Sequence, residues 1–167
     1  MRLVNVLCII LLCSGFWLPG SIMALSTDQN QTIHLTANQM DVDNNKGLST
    51  YRGNVQLQQG SIQLQADQVE VYHIKQAEKI IVTGAPVKFQ QQTDQHETVK
   101  GEANRVEYYA ASEKVVLLNN AHLWLGQKQF SGQRLEYDIR QNIIKGGDKS
   151  SEGGRIHITI PPLKKTP

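Results

Sequence analysis

The amino-acid sequence predicts an all-β protein, an elongated antiparallel sheet built of repeated strand units. Apolar and polar residues alternate in many short segments, which is the pattern of a strand with one covered face. Similar units recur along the chain at intervals of 29 to 37 residues. After residue 25 no apolar stripe has the period of an amphipathic helix.

Residues 1–24 predict a cleaved secretory signal. Arg2 supplies a positive charge before an apolar run, and small residues lead to a cleavage point after Ala24. The alternative is a retained membrane anchor. Gly15 and Pro19 interrupt the apolar run before it reaches the ~20 residues that a bilayer span needs, which favours cleavage.

The remaining 143 residues are expected to form one domain over 25–163, followed by a disordered tail at 164–167. Cys8 and Cys13 are the only cysteines and lie in the leader, so the mature chain has no disulfide, thiolate metal site or cysteine nucleophile. Without Arg2 the chain has 16 basic and 15 acidic residues. This balance implies no bulk attraction to nucleic acid or membranes.

The stretch NVQLQQGSIQLQAD (54–67) predicts a hairpin. Val55 and Leu57 alternate with polar residues before a turn at Gly60, and the alternation resumes after it. Because successive side chains point to opposite faces, one face is apolar and the other is uncharged and rich in glutamine.

Four copies of one pattern organise the chain. Each has a small residue, two polar residues, an apolar residue, an acid and a second apolar or aromatic residue. The copies are TANQMDV (36–42), QADQVEV (65–71), EANRVEY (102–108) and SGQRLEY (131–137). A further strand follows the first three copies, with a turn expected at Gly53-Asn54, Gly84-Ala85 and Asn119-Asn120.

Within each copy the alternation changes parity. Leu64 and Ala66 share one parity and Val69 and Val71 the other, so a bulge or bend near Asp67-Gln68 would keep all four on one face. A sheet of such units can close into a barrel, fold as a sandwich or wind as an elongated open roll. Repeats of about 30 residues favour the elongated roll.

Residues 155–160 predict a last strand that ends at Pro161-Pro162. Nothing along this alternating strand discourages pairing with a second chain. The alternative, a last strand already paired inside the domain, remains open.

The sequence contains no recognisable catalytic or metal-ligating set. No histidine pair has metal-site spacing, so each histidine is expected to be a neutral surface or strand-end residue. The repeated acids alternate with apolar residues and are expected to point outward, as exposed cross-strand partners of Lys or Arg or as charges that protect a sheet edge. No nucleophile motif or phosphate loop occurs. The histidines are His34, His73, His96, His122 and His157, and the acids are Asp41, Glu70, Glu107 and Glu136.

Two stretches carry a resemblance to a known family: YRGNVQLQQGSIQLQADQVEV (51–71) and GEANRVEYYAASEKVVLLNNAHLWL (101–125). From about Ile33 to Ile160 the chain closely resembles the OstA-like family of periplasmic lipopolysaccharide-transport proteins. This family includes LptA, the N-terminal domain of LptD and, more distantly, LptC. Asn119-Asn120 stands where the family usually has Gly-Asn, a mild departure.

The resemblance implies an open-ended β-jellyroll whose apolar interior holds the lipid A acyl chains of lipopolysaccharide. It implies end-to-end stacking into a periplasmic bridge from the inner-membrane LptBFG–LptC complex to the outer-membrane LptD–LptE complex. No catalytic residue, metal or cofactor is implied. Two other functions stay open: a membrane-anchored LptC-like protein, and a structural β-stack of the envelope that binds no lipid.

We expect the lipid-binding interior to be formed by the apolar residues of inward parity, although simple core packing is the alternative for each. These residues are Leu35, Met40, Val42, Val55, Leu57, Ile62, Leu64, Val69, Val71, Val87, Phe89, Val106, Tyr108, Leu123, Leu125, Leu135 and Tyr137. The edges expected to join partners or further copies contain Ile33, His34, Leu35, Ile156, Ile158 and Ile160.

Overall fold

A computed structural model describes residue 28 and residues 30–74, 77–93, 96–147 and 154–162. The predicted signal at 1–24 and the tail at 164–167 lie outside these residues. Within them, ten strands form one sheet, and a single 3₁₀ turn (Ala110–Ser112) joins two of them. The strands are β1 (His34–Thr36), β2 (Gln39–Asp43), β3 (Leu48–Gln59), β4 (Ile62–Ile74), β5 (Ala77–Gln92), β6 (Thr98–Tyr109), β7 (Lys114–Leu125), β8 (Lys128–Asp138), β9 (Ile143–Gly146) and β10 (His157–Thr159).

The six long strands β3 to β8 pair with their neighbours in chain order, and every pairing is antiparallel. Each outer strand of this set is flanked by two short strands. β1 and β2 both pair with β3, whereas β9 and β10 both pair with β8. The fold is an open, elongated antiparallel β-jellyroll, which confirms the predicted class.

The hairpin predicted around Gly60 is the connection from β3 to β4. Gly60 has a φ of +57°, a conformation that glycine adopts without strain. Asp28 packs against this turn, where its carboxylate accepts hydrogen bonds from the backbone N–H (2.8 Å) and hydroxyl (2.6 Å) of Ser61. Residue 28 is thereby fixed to the hairpin end of the sheet.

The Gly/Asn pairs do not form turns between strands, which corrects one expectation. Gly53-Asn54 and Asn119-Asn120 lie inside β3 and β7, where their positive φ angles accompany an interruption of the strand register. Gly84-Ala85 lies at the matching interruption in β5, before a cis Ala85–Pro86 peptide bond. A left-handed residue serves a bulge as well as a turn, so composition alone does not distinguish them.

The parity change predicted near Asp67-Gln68 is confirmed. Ala66 and Val69 are both buried although they are three residues apart, and the β4–β5 register is interrupted between Gln65 and Gln68. The sheet therefore bends at this level while its apolar side chains stay on one face.

The last strand is shorter than predicted, since only His157–Thr159 pair with β8. Their partners are Ser131 to Gln129. Continuing the ladder would place Ile156 beside Gly132, where β8 enters the bend, and Ile160 beside the first residue of β8. Pairing stops where β8 bends or ends.

Candidate functional site: an apolar inner face that reaches both edges

Side chains on the inner face form four rows that cross the strands. The leucine row contains Leu35, Leu57, Leu64, Phe89, Gly101, Leu123, Phe130 and Ile158, and the bend row contains Val55, Ala66, Val87, Ala103, Ala121 and Gly132. The central row contains Met40, Tyr51, Val69, Val82, Val106, Leu117, Leu135 and Gly146, and the tyrosine row contains Val42, Ser49, Val71, Ile80, Tyr108, Val115, Tyr137 and Ile144.

The strand register places the predicted lining on this face. Fifteen of the 17 residues belong to the four rows, and Ile62 and Leu125 lie beyond the leucine row at the hairpin end. The rows share one apolar cluster that spans the sheet from Leu35 on β1 to Ile144 on β9. Contact of these residues with lipid remains a prediction.

Several members of the rows were not expected. Ile80, Val82 and Leu117 lie in uninterrupted apolar runs, KIIV and KVVLL, where alternation does not show which residues face inward. In the structure the neighbouring Ile81 and Val116 are also buried, but their register places them on the outer face. Only cross-strand pairing, which the sequence does not reveal, separates the two sets.

Apolar side chains are exposed at the two edges of the sheet. Among the described residues, the large apolar side chains that are more than 40% exposed all belong to an edge strand or to the residues beside it. Met40 (68%) and Val42 (45%) are exposed on β2, and Ile158 (56%) is exposed on β10. The others are Ile33, Ile143 and Ile160.

The predicted joining residues lie at these edges. His34 and Leu35 belong to β1, and Ile33 immediately precedes it. Ile158 is the middle residue of β10, flanked by Ile156 and Ile160. In the described structure β10 pairs with β8 alone and terminates the sheet, so it is not an interior strand.

The outer face carries an ionic cluster around Glu107. Its carboxylate accepts hydrogen bonds from Tyr109 and Arg105 and lies 3.0 Å from the Lys79 ammonium. Burial alone would raise the pKa of Glu107, but these three partners outweigh it and lower the pKa from 4.5 to about 2. The bond to Glu107 raises the pKa of Lys79 in turn.

The repeated acids pair with basic residues only in part. Glu107 and Glu136 have Arg and Lys partners as expected, whereas Glu70 accepts hydrogen bonds from Gln68 and Tyr72. The expectation that the acids are exposed holds for Asp41 but is wrong for the other three acids, which are half-buried. The Glu107 side chain is only 12% exposed. The aromatic ring and the long basic side chains beside Glu107 cover it.

The histidines are surface residues with one exception. His34, His73, His96 and His157 are exposed, but His122 is half-buried in β7, stacked on Trp124 at 5.8 Å between ring centroids. In the described part of the chain, no three His, Cys, Asp or Glu side chains converge as metal ligands. The same residues include no helix long and apolar enough to cross a membrane.

Comparison with known proteins identifies the family. Residues 34–143, from the start of β1 to the start of β9, match the family described as "LptA/(LptD N-terminal domain) LPS transport protein". The chain belongs to this LptA/LptD N-terminal domain family. The match includes all six long strands and therefore the greater part of every row.

Individual relatives support the assignment to the LptA/LptD N-terminal domain family. The chain is 34% identical over 139 residues to the lipopolysaccharide export system protein LptA of Haemophilus influenzae, covering 78% of this chain and 80% of that protein. It is 30% identical over 142 residues to LptA of Escherichia coli K12, covering 83% and 76%. It is 28% identical over 173 residues to LptH of Pseudomonas aeruginosa, covering 99% of both chains.

A solved structure of the same family has the same fold. The crystal structure of LptH, the LptA-homologous periplasmic component of the lipopolysaccharide transport device of Pseudomonas aeruginosa, aligns with a TM-score of 0.74 at 26% identity. The alignment covers 81% of this chain and 99% of that structure.

Proposed function

We propose that this chain is a periplasmic lipopolysaccharide carrier in a bridge from the inner-membrane LptBFG–LptC complex to the outer-membrane LptD–LptE complex. The observation that carries the proposal is the apolar inner face, whose rows cross the sheet and reach exposed apolar side chains at both edges. Membership of a lipopolysaccharide-transport family supports the same function.

The chemistry of the inner face suits acyl chains. Exposing an acyl chain to water costs roughly 0.8 kcal/mol per CH₂, so a water-filled compartment can be crossed only along an apolar surface. The rows offer Leu, Ile, Val and Phe side chains, while the outer face at the hairpin end offers glutamines such as Gln56, Gln63 and Gln90. Because hydrocarbon contacts have no preferred direction, an acyl chain can slide along the rows.

Movement of lipid along such a face needs no bond-making by the chain. We therefore propose a non-enzymatic carrier without a cofactor, for which the inner-membrane ATPase supplies the energy of directional movement. The signal at 1–24 would be removed on export, and the mass of the mature chain tests that step. A mass that includes the leader would instead favour the membrane-anchored LptC-like alternative.

We further propose that copies join edge to edge, and that LptC and LptD N-terminal domains join in the same way. β1 and β2 run antiparallel to β3, and β9 and β10 run antiparallel to β8. Since β3 and β8 themselves run in opposite directions, the β9/β10 edge of one copy meets the β1/β2 edge of the next in antiparallel orientation. Such a joint extends the existing ladder without reversing any strand.

The rows predict the register of this joint. Leu35 and Ile158 end the leucine row, and Val42 and Ile144 end the tyrosine row. Ile158 of one copy would therefore lie opposite Leu35 of the next, and Ile144 opposite Val42. In that register Leu35 would cover the exposed Ile158, and Ile144 would cover the exposed Val42.

Detergent-free purification from cells, followed by lipid analysis, tests the carrier function. We expect lipopolysaccharide to copurify in amounts comparable to the protein, and both membrane complexes to be captured from envelope extract. An exported β-protein without an apolar groove provides the control. Lipid at the control level, with both complexes still captured, would favour the structural β-stack instead.

A further inference from the structure

We infer that a bound lipid places its acyl chains in two separate lanes, along the leucine row and the tyrosine row, while the bend and central rows between them stay closed. The inference rests on the proposed function, because it states which part of the inner face the acyl chains of lipopolysaccharide contact.

The two middle rows are sealed by protein. Val87, Ala103, Leu117, Ala121 and Leu135 have 0% exposed surface. The other members of these rows on the six long strands are also buried, except Tyr51 and Gly132, which are half-buried. A ligand that binds the described conformation finds almost no accessible surface on these rows.

Small side chains line much of the bend row, whereas larger Val and Leu side chains fill the central row. Ala66, Ala103, Ala121 and Gly132 follow the bend from strand to strand, and such short side chains leave room for neighbouring side chains to pack closely over them. The Cδ1 methyl of Ile156 fills the space over Gly132, where even an added Cβ would collide with it. An acyl chain could enter here only by separating packed side chains.

The flanking rows remain accessible. Leu57, Leu64, Phe89 and Phe130 of the leucine row are half-buried on four strands. Val71, Ile80, Tyr108 and Val115 of the tyrosine row are half-buried on four consecutive strands. The hydrophobic gain of binding scales with apolar area that leaves water. Only these rows supply such area without breaking existing core contacts.

Both lanes reach both edges of the sheet. The leucine row runs from Leu35 on β1 to the exposed Ile158 on β10, and the tyrosine row runs from the exposed Val42 on β2 to Ile144 on β9. In the proposed joint each lane continues onto the same row of the next copy. An acyl chain would then keep its lane throughout the bridge.

Each lane is constricted by buried residues, which an acyl chain passes only by displacing the side chains packed on them, and these constrictions lie on different strands of the two lanes. In the leucine row the ring of Phe89 lies over Gly101, and Leu123 beside them is fully buried. In the tyrosine row Ser49 and Tyr137, near the two edges, are buried instead. Two chains of one lipid would meet these constrictions at different points of the sheet, which fits separate lanes better than one common trough.

A photoreactive lipid tests the inference on the unmodified mature chain. Lipid A with a diazirine in one acyl chain is bound, irradiated and located by peptide mass spectrometry. We expect about tenfold more adduct on the half-buried lane residues than on closed-row residues, since two methylenes of contact correspond to about that factor in affinity. Comparable yields on Val87, Ala103 and Leu117 would overturn the lanes. If unlabelled lipopolysaccharide displaces none of the adducts, both the proposed function and the lanes are overturned.

A matched pair of variants tests whether the lanes are independent. Leu64→Trp fills the leucine row, whereas Gln63→Trp adds the same bulk to the exposed outer face next to it. We expect Leu64→Trp to reduce leucine-row adducts about tenfold and leave tyrosine-row adducts unchanged, and Gln63→Trp to change neither. Circular dichroism verifies that the Leu64→Trp chain is folded. If its adduct yield then falls equally on both rows, separate lanes are overturned.

Discussion

The hydroxyl of Tyr109 donates a 2.6 Å hydrogen bond to Oε2 of Glu107, two residues earlier on the same strand. Side chains two apart on a strand share one face, so this hydrogen bond requires no other strand. Lys79 reaches the same oxygen from β5 and lies 4.9 Å from the centroid of the Tyr109 ring. A local contact and a cross-strand contact thereby stabilise the outer face together.

Replacing Glu107 by Gln should destabilise the fold by about 1–3 kcal/mol, because Lys79 and Arg105 lose their charged partner. Urea unfolding measures the loss. Asp41→Asn provides the control, because Asp41 is an exposed acid at the equivalent position of another copy of the pattern, and we expect it to change stability by less than about 0.5 kcal/mol. Equal effects of the two variants would contradict a special role for the cluster.

The same carboxylate predicts a pH dependence of stability. The folded-state pKa of Glu107 is lowered from 4.5 to about 2, so the unfolded chain binds the proton more readily. The contribution of Glu107 is therefore complete above about pH 4.5 and declines as the pH falls toward 2. Unfolding free energies of the native chain and Glu107→Gln should converge over this range. A constant difference between them would disprove the assignment.

Asn119 has a φ of +62° inside β7. Asn119→Gly should preserve or slightly raise stability, since glycine adopts this conformation freely, and Asn119→Val should cost roughly 1–2 kcal/mol. Thermal unfolding of both variants measures the difference. A valine variant as stable as the glycine variant would show that the bulge does not require the left-handed conformation.

Gly101 lies beneath the ring of Phe89, and a Cβ at this position would collide with the ring. Gly101→Ala should cost about 1–3 kcal/mol through overpacking. Combining it with Phe89→Leu should recover part of this cost, because the smaller side chain vacates the space. A double-mutant cycle on unfolding free energies provides the measurement. Strictly additive losses would indicate that the ring moves aside freely.

The register of the proposed joint predicts a specific disulfide. A chain of residues 25–167 with Leu35→Cys and Ile158→Cys, a segment that has no other cysteine, should form a ladder of covalent oligomers on mild oxidation. Leu35→Cys with Ile144→Cys pairs the ends of different rows and should form none. Denaturing electrophoresis without reductant distinguishes them. Equal ladders from both variants would mean that the joint has another register or none.

Much of the fold could be predicted from the sequence because the relevant signals are local. Alternation marked the hairpin around Gly60, and the change of parity between Ala66 and Val69 located the bend. Local signals failed where two structures use the same residue types. Gly53-Asn54 suits a turn and a bulge equally well, and only the continued pairing of β3 with β4 decides between them.

The candidate site was predictable only where polar residues separate apolar ones. Leu57 and Leu64 stand between glutamines, whereas Ile80 and Val82 flank the equally apolar Ile81, which the register places on the outer face. Exposure along the rows was not predictable at all. It depends on how side chains from strands distant in sequence pack into one apolar cluster.

The unequal edges have a consequence for any assembly built through them. The β1/β2 side and the β9/β10 side present different side chains, so such an interface is heterologous and does not close by two-fold symmetry. The resulting filament has a head and a tail, and neither terminus can substitute for the other. The order of strands in a single subunit would then determine the head-to-tail direction of the whole assembly.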